Sequence, residues 1–278
     1  MGLDTFIPTV WAAQMLVALK KALVYGSVVN TDYEGQIRNV GDSVRINEIG
    51  AITVNDYTKY GSLTWQELTS AQKTLYLDQA KSFSFAVDDV DNAQSTPKVM
   101  GQAMVEAAYA VADEIDQHIA GLYTNAGIEL TATTGTTTNA LSWVADAAEA
   151  LNEANAPTSG RFLILPPKMI TKLLLTVSGG VDTDAVPKVF DNGMIVNGFV
   201  GSIYGFNILM SNNVVQSSAG VYQPLFLTRQ AITYAGQLTK IAPVKREDYF
   251  DEGVKGLYVY GSKVVRPAIL GTCALTLS

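Results

Sequence analysis

TPKVMGQAMVEAAYAVADEIDQHIAGLY, from Thr96 to Tyr123, is the stretch on which the rest of the chain is organised. Apolar residues recur at Met100, Met104, Ala107, Val111, Ile115, Ile119 and Leu122, in steps of three and four. That is the period of a helix with one buried stripe. Thr96 suits the N-cap, and Pro97 suits the first turn, where a missing N–H costs nothing. Gln102, Glu106, Asp113, Asp116 and Gln117 fall mostly off the stripe. The pattern predicts one amphipathic helix of roughly 40 Å. An alternating, strand-like segment precedes it and a mixed α/β segment follows.

The chain has 278 residues, enough for one large domain or two modest ones. Hydrophobic residues make up 48%, which sets it apart from disordered chains. A net charge of −7 argues against a basic face that grips nucleic acid. Cys273 is the only cysteine, so an intrachain disulfide and a thiolate metal cluster are both excluded. The N-terminus lacks the charge order of a signal peptide, and Phe6 breaks a myristoylation motif. No run of eighteen apolar residues exists. The expectation is a soluble chain, made inside a cell, with no membrane partner.

Upstream of the helix, Pro8 to Leu23 has Trp11, Met15, Leu19 and Leu23 at four-residue spacing. This second helix either packs on its own domain or docks on a neighbouring subunit. Residues 36–92 change character. Val44, Ile46, Ile52 and Val54 alternate with polar residues, and Leu75, Leu77, Phe83, Phe85 and Val87 do so on the return. Period two predicts a long β-hairpin with an elaborated tip at 57–69, each side about 15 residues long. Such a hairpin needs cover. The run Asp88, Asp89, Asp91 fails the calcium-loop pattern at Ala93 and Gln94, and is expected to be a solvated turn.

Downstream, the polar loop Thr131–Thr138 marks a boundary. Leu141, Val144, Ala148 and Leu151 predict a helix, Arg161–Leu165 a buried strand, and Met169, Leu173 and Leu174 another helix. Val200–Met210 and Pro224–Leu227 read as strands. In the tail, Leu257–Tyr260 and Lys263–Val265 read as two strands flanking Gly261, after a charged connector with Arg246, Glu247, Asp248, Asp251 and Glu252.

Residues that carry chemistry are few. The single histidine, His118, lies one turn after Glu114 and near Asp113 and Asp116. A metal site would need ligands from another helix, and the chain offers no matching Glu-x-x-His elsewhere and no G-x-S-x-G elbow. No phosphate-binding glycine loop is present, and no cofactor is expected.

The order of these parts resembles the major capsid proteins of tailed bacteriophages, with the HK97-type fold. The stretches that carry the resemblance are Phe6–Ala13, Gly41–Ile46, Phe85–Asp91, Gly160–Pro166, Asn197–Gly201 with Gly205–Ile208 and Ser211–Asn212, and Gly256–Gly261. It implies an α+β fold with an N-terminal arm at 1–35 and an E-loop hairpin at 36–92. It further implies a P-domain spine helix within 93–130, an inserted A-domain at 131–239, and C-terminal P-domain strands at 240–278. It also implies a non-enzymatic coat protein that self-assembles through pentamers and hexamers into an icosahedral shell around double-stranded DNA. The expected location is the virion, with assembly in the host cytoplasm. The expected partners are other copies of the chain, a scaffolding protein, a portal protein, and DNA bound without sequence specificity. The sequence shows no long helical prefix of the kind that serves some relatives as a fused scaffold, so the expectation is either a separate scaffolding protein or a prefix already removed, and Met1 favours the former. Contacts between subunits are assigned to Trp11, Met15, Tyr57, Lys59, Tyr60, Trp65 and Leu68, and Lys59 matches the place of a crosslinking lysine in some relatives. Two other functions fit the sequence: an encapsulin-like compartment of the same fold, and a soluble α/β enzyme using Glu114 and His118.

Overall fold

The structure is a computed structural model. It describes residues 15, 18, 19, 23–33, 43–49, 53–57, 59–62, 65, 66, 70–88, 99–136, 139–178, 199–245 and 251–277.

The spine helix, α1, runs from Val99 to Ala120 and tightens into a 3-10 turn at Gly121–Asn125. At about 1.5 Å per residue it is roughly 33 Å long. Met104, Ala108, Ile115 and Ile119 are fully buried, and Val111 nearly so. The expected cap at Thr96 and Pro97 lies outside the described residues.

α1 packs against a three-stranded antiparallel sheet of β3 (Gln79–Asp88), β11 (Ile232–Lys245) and β12 (Asp251–Val264), in the order β11-β12-β3. This corrects the expected hairpin. Phe83, Phe85 and Val87 do not continue the return strand, because β3 pairs with β12 in the register Phe85↔Val254. The described hairpin consists of β1 (Ser43–Ile49) and β2 (Ser70–Tyr76), seven residues each, paired Val44↔Leu75 and Ile46↔Lys73. Val54, expected in a strand, lies outside any strand and is 92% exposed.

Seven described strands between residues 128 and 228, with one more at the chain's end, form an eight-stranded mixed sheet. Its strands are β4 (Ile128–Thr134), β5 (Arg161–Leu165), β6 (Phe199–Ile203), β7 (Phe206–Met210), β8 (Gln216–Ser218), β9 (Val221–Tyr222), β10 (Leu225–Thr228) and β13 (Leu270–Thr276). Leu163, Ile164 and Leu165 in β5 are fully buried, as a continuous apolar run requires. α2 (Ala140–Glu153) and α3 (Pro167–Ser178) pack on each other, and Trp143, Leu151, Met169 and Leu173 join the main core.

β11 begins at Ile232, so the three-stranded sheet starts before residue 240. β13 pairs with β10 and β4, so the last strand belongs to the eight-stranded sheet. β12 is one continuous strand through Gly261. A Cβ at Gly261 would stand 2.2 Å from the Tyr76 carbonyl oxygen, so glycine is what lets the corner after β2 lie on β12.

Candidate assembly interface

The large apolar residues described at the hairpin tip are exposed. Val54, Tyr57, Tyr60 and Trp65 are 92, 74, 91 and 89% exposed. Thr53 donates its backbone N–H to Gln66 Oε1 at 2.8 Å, which ties the two sides together. Lys59 Nζ stands 5.1 Å from the centre of the Tyr60 ring. Tyr60 has φ +68°, a left-handed conformation that a bulky residue adopts at a cost, and Gly61 follows it. The turn therefore presents large rings outward. Four large apolar side chains gathered on one projection are unusual for a free surface. Leu68 and Trp11, expected beside them as contacts, lie outside the described residues. Met15 corrects its assignment: it is 1% exposed and sits in the main core, so its own subunit already covers it.

The base of the hairpin is held firmly. Val44, Ile46, Leu75 and Leu77 meet Ala235, Val259 and Val265 in a second, smaller core, with Tyr33 and Leu257 against it. Lysines reach across it in both directions. Lys73 Nζ on β2 donates to the Val265 carbonyl, and Lys263 Nζ on β12 donates to the Thr74 carbonyl at 2.6 Å. A rigid base and an exposed aromatic tip make a lever whose end is aimed away from its own core.

The segment before the hairpin is tied to α1 by a residue the apolar pattern missed. Asp116 is 2% exposed, although it lies off the predicted stripe. Its carboxylate accepts the backbone N–H of Val24 at 2.7 Å and of Gly26 at 3.1 Å. These donors open the single helical turn Tyr25–Val28, where an anion complements the unpaired amides. Burial pushes the Asp116 carboxyl up to about 6, against the opposing pull of the amides. The signal in the sequence was its spacing, four residues after Ala112 and three before Ile119, both buried.

The residues of the enzyme alternative are otherwise engaged. Glu114 Oε2 pairs with Lys81 Nζ at 2.5 Å. His118 meets the Tyr260 ring edge-on, with centroids 5.3 Å apart, and burial lowers its pKa. Among the described residues no group of His, Cys, Asp or Glu could hold a metal ion. No described helix is long and apolar enough to cross a membrane.

Residues 70–270 match the family described as phage capsid protein. Among solved structures, the fold is similar to that of Mycobacterium phage Che8, with 26% identity, TM-score 0.69 and 90% of each chain covered. It is similar to the capsid structure of the cyanophage P-SCSP1u at 19% identity and TM-score 0.66, covering 90% of this chain and 86% of that one. It also resembles a virus-like particle from Pyrococcus furiosus at 13% identity and TM-score 0.60, covering 95% and 97%. No curated protein is significantly similar in sequence.

Proposed function

The chain belongs to the phage capsid protein family, as a major capsid protein of an icosahedral shell, and on that premise we propose how it assembles. The hairpin from β1 to β2 is an arm that reaches onto a neighbouring subunit. Val54, Tyr57, Tyr60 and Trp65 form its contact face, and Lys59 lies among them. The observation that carries this is the exposure of those rings on a projection with a rigid base. Covering each large apolar side chain is worth about 1.5–3 kcal/mol, and another copy of the chain supplies the surface.

The shell is built from pentamers and hexamers and encloses double-stranded DNA. The net charge of −7 supports a lining that packages DNA without holding it tightly. A scaffolding protein and a portal act during assembly in the host cytoplasm. The likeness to the virus-like particle concerns the fold alone, whereas the family match covers most of the chain and favours the phage shell over a cargo compartment.

Sedimentation of the purified protein, alone and with its scaffold, tests this. Capsomers or closed shells should appear as protein concentration rises. A compact monomer at every concentration, scaffold included, would refute it.

A further inference from the structure

A cleft of about 670 Å³ opens where the hairpin base meets the three-stranded sheet. Its walls include Asp32, Tyr33, Ile46, Arg229, Val265 and Arg266. Ile46 and Val265 belong to the small core of the hairpin base, and Tyr33 packs against that core. Part of the wall is therefore apolar and firmly held. Both arginines are exposed. Arg229 Nε donates to the Val29 carbonyl at 3.4 Å, which engages a single N–H of that guanidinium fork. Arg266 Nη1 donates to Gln230 Oε1 at 2.9 Å. The cleft sets two guanidinium groups beside an apolar surface.

The hairpin tip carries the complementary set. Asp56 is exposed, and in sequence it stands between the exposed Val54 and Tyr57. Tyr60 and Trp65 add two more exposed rings. Among the described residues, none from the tip lines the cleft of its own subunit. A second cleft, beside α1, has Glu106, Asp113 and Asp116 in its walls. A carboxylate entering there meets like charge, whereas the arginine cleft meets it with opposite charge.

We infer that the hairpin tip of one subunit seats in the arginine cleft of a second copy of the chain, with Asp56 facing the guanidinium groups and the tip's rings against the apolar wall. This rests on the hairpin's role as an arm between subunits, and it names the surface that receives the arm. Arginine suits both halves of the contact. Its planar fork binds a carboxylate through two parallel hydrogen bonds, and its face stacks on aromatic rings. Tip and cleft are different surfaces of one subunit, so the contact is head-to-tail and repetition generates rings or extended lattices. Ile46 lies on β1, so a docked tip rests against the foot of the next arm.

Charge exchange tests the pairing. Asp56→Lys and Arg229→Glu, each alone, should leave circular dichroism unchanged and raise the protein concentration needed for shells by about tenfold or more. Both changes in one chain should restore assembly, because every such contact is then reversed. Normal assembly by the single variants, or no recovery in the double variant, would overturn the inference. A benzophenone side chain introduced at Tyr57 gives a second measurement that alters no charge, and it decides alone should Arg229→Glu fail to fold. In assembled protein, light should link position 57 to a different copy at residues 30–33 or 229–233, which mass spectrometry locates. Links to another part of the neighbouring chain would overturn the cleft as the seat and leave the arm standing. Links within one chain only would overturn both.

Discussion

Asp116 on the spine helix accepts the backbone N–H of Val24 at 2.7 Å, a bond between residues 92 apart in the chain. It joins the segment that enters the subunit to the element that organises it. Asp116→Ala would leave the Val24 and Gly26 amides without their buried acceptor. A hydrogen bond to a charged group contributes about 1.5–3 kcal/mol. The expected loss is about 2–4 kcal/mol, measured by urea unfolding, with hydrogen exchange fastest at residues 24–28.

The same carboxyl makes stability depend on pH. Its folded value is about 6, above the ordinary 3.8. Between those values the folded state binds more protons than the unfolded one, so this group's contribution falls as pH rises and levels off above about 6. Moving from pH 7 to pH 5 should therefore stabilise the native protein relative to Asp116→Asn, by about 1 kcal/mol. A stability difference that does not change over that range would show that Asp116 does not titrate there.

The spine's apolar stripe is a folding requirement. Val111 is 5% exposed within the main core. Val111→Asp places a carboxylate there and should cost more than about 3 kcal/mol, giving insoluble or unfolded protein. His118→Ala, at a half-buried ring contact, should be mild by comparison. Thermal unfolding of the two variants separates these outcomes. Loss of a catalytic activity in a folded His118→Ala protein would contradict a purely structural role.

At the hairpin base, Gly261→Ala drives a methyl group into the Tyr76 carbonyl and the Leu77 backbone. Backbone on both sides cannot yield cheaply, so the expected loss is about 2 kcal/mol or more. Lys73→Met and Lys263→Met remove the two reciprocal bonds and should speed exchange of the β1 and β2 amides more than those of β12.

The spine helix and β5 were legible because each carries its own periodicity. Met104 to Ile119 repeats at helical spacing, and Phe162–Leu165 is a short unbroken apolar run. The partner of β3 was not legible. Alternation at Phe83, Phe85 and Val87 says which face is covered but not which strand lies alongside. The placement of β13 was hidden for the same reason, since pairing of Gly271 with Ile128 joins residues far apart in sequence. Asp116 was missed because hydrophobic pattern ranks a carboxylate as surface, while its partners are backbone amides that leave no trace in sequence. The tip of the hairpin was legible as apolar residues with too little chain to cover them, and the exposure of Tyr57 and Trp65 agrees with that.

The most direct test is electron microscopy of the unaltered protein beside a variant in which residues 57–69 are replaced by Asn-Gly. The described tip residues Tyr57, Tyr60 and Trp65 are exposed, so the variant should keep its circular dichroism and thermal midpoint. The unaltered protein should form closed shells and the variant none, because the missing contact recurs at every subunit. Normal shells from the shortened protein would contradict the hairpin's role as an arm between subunits.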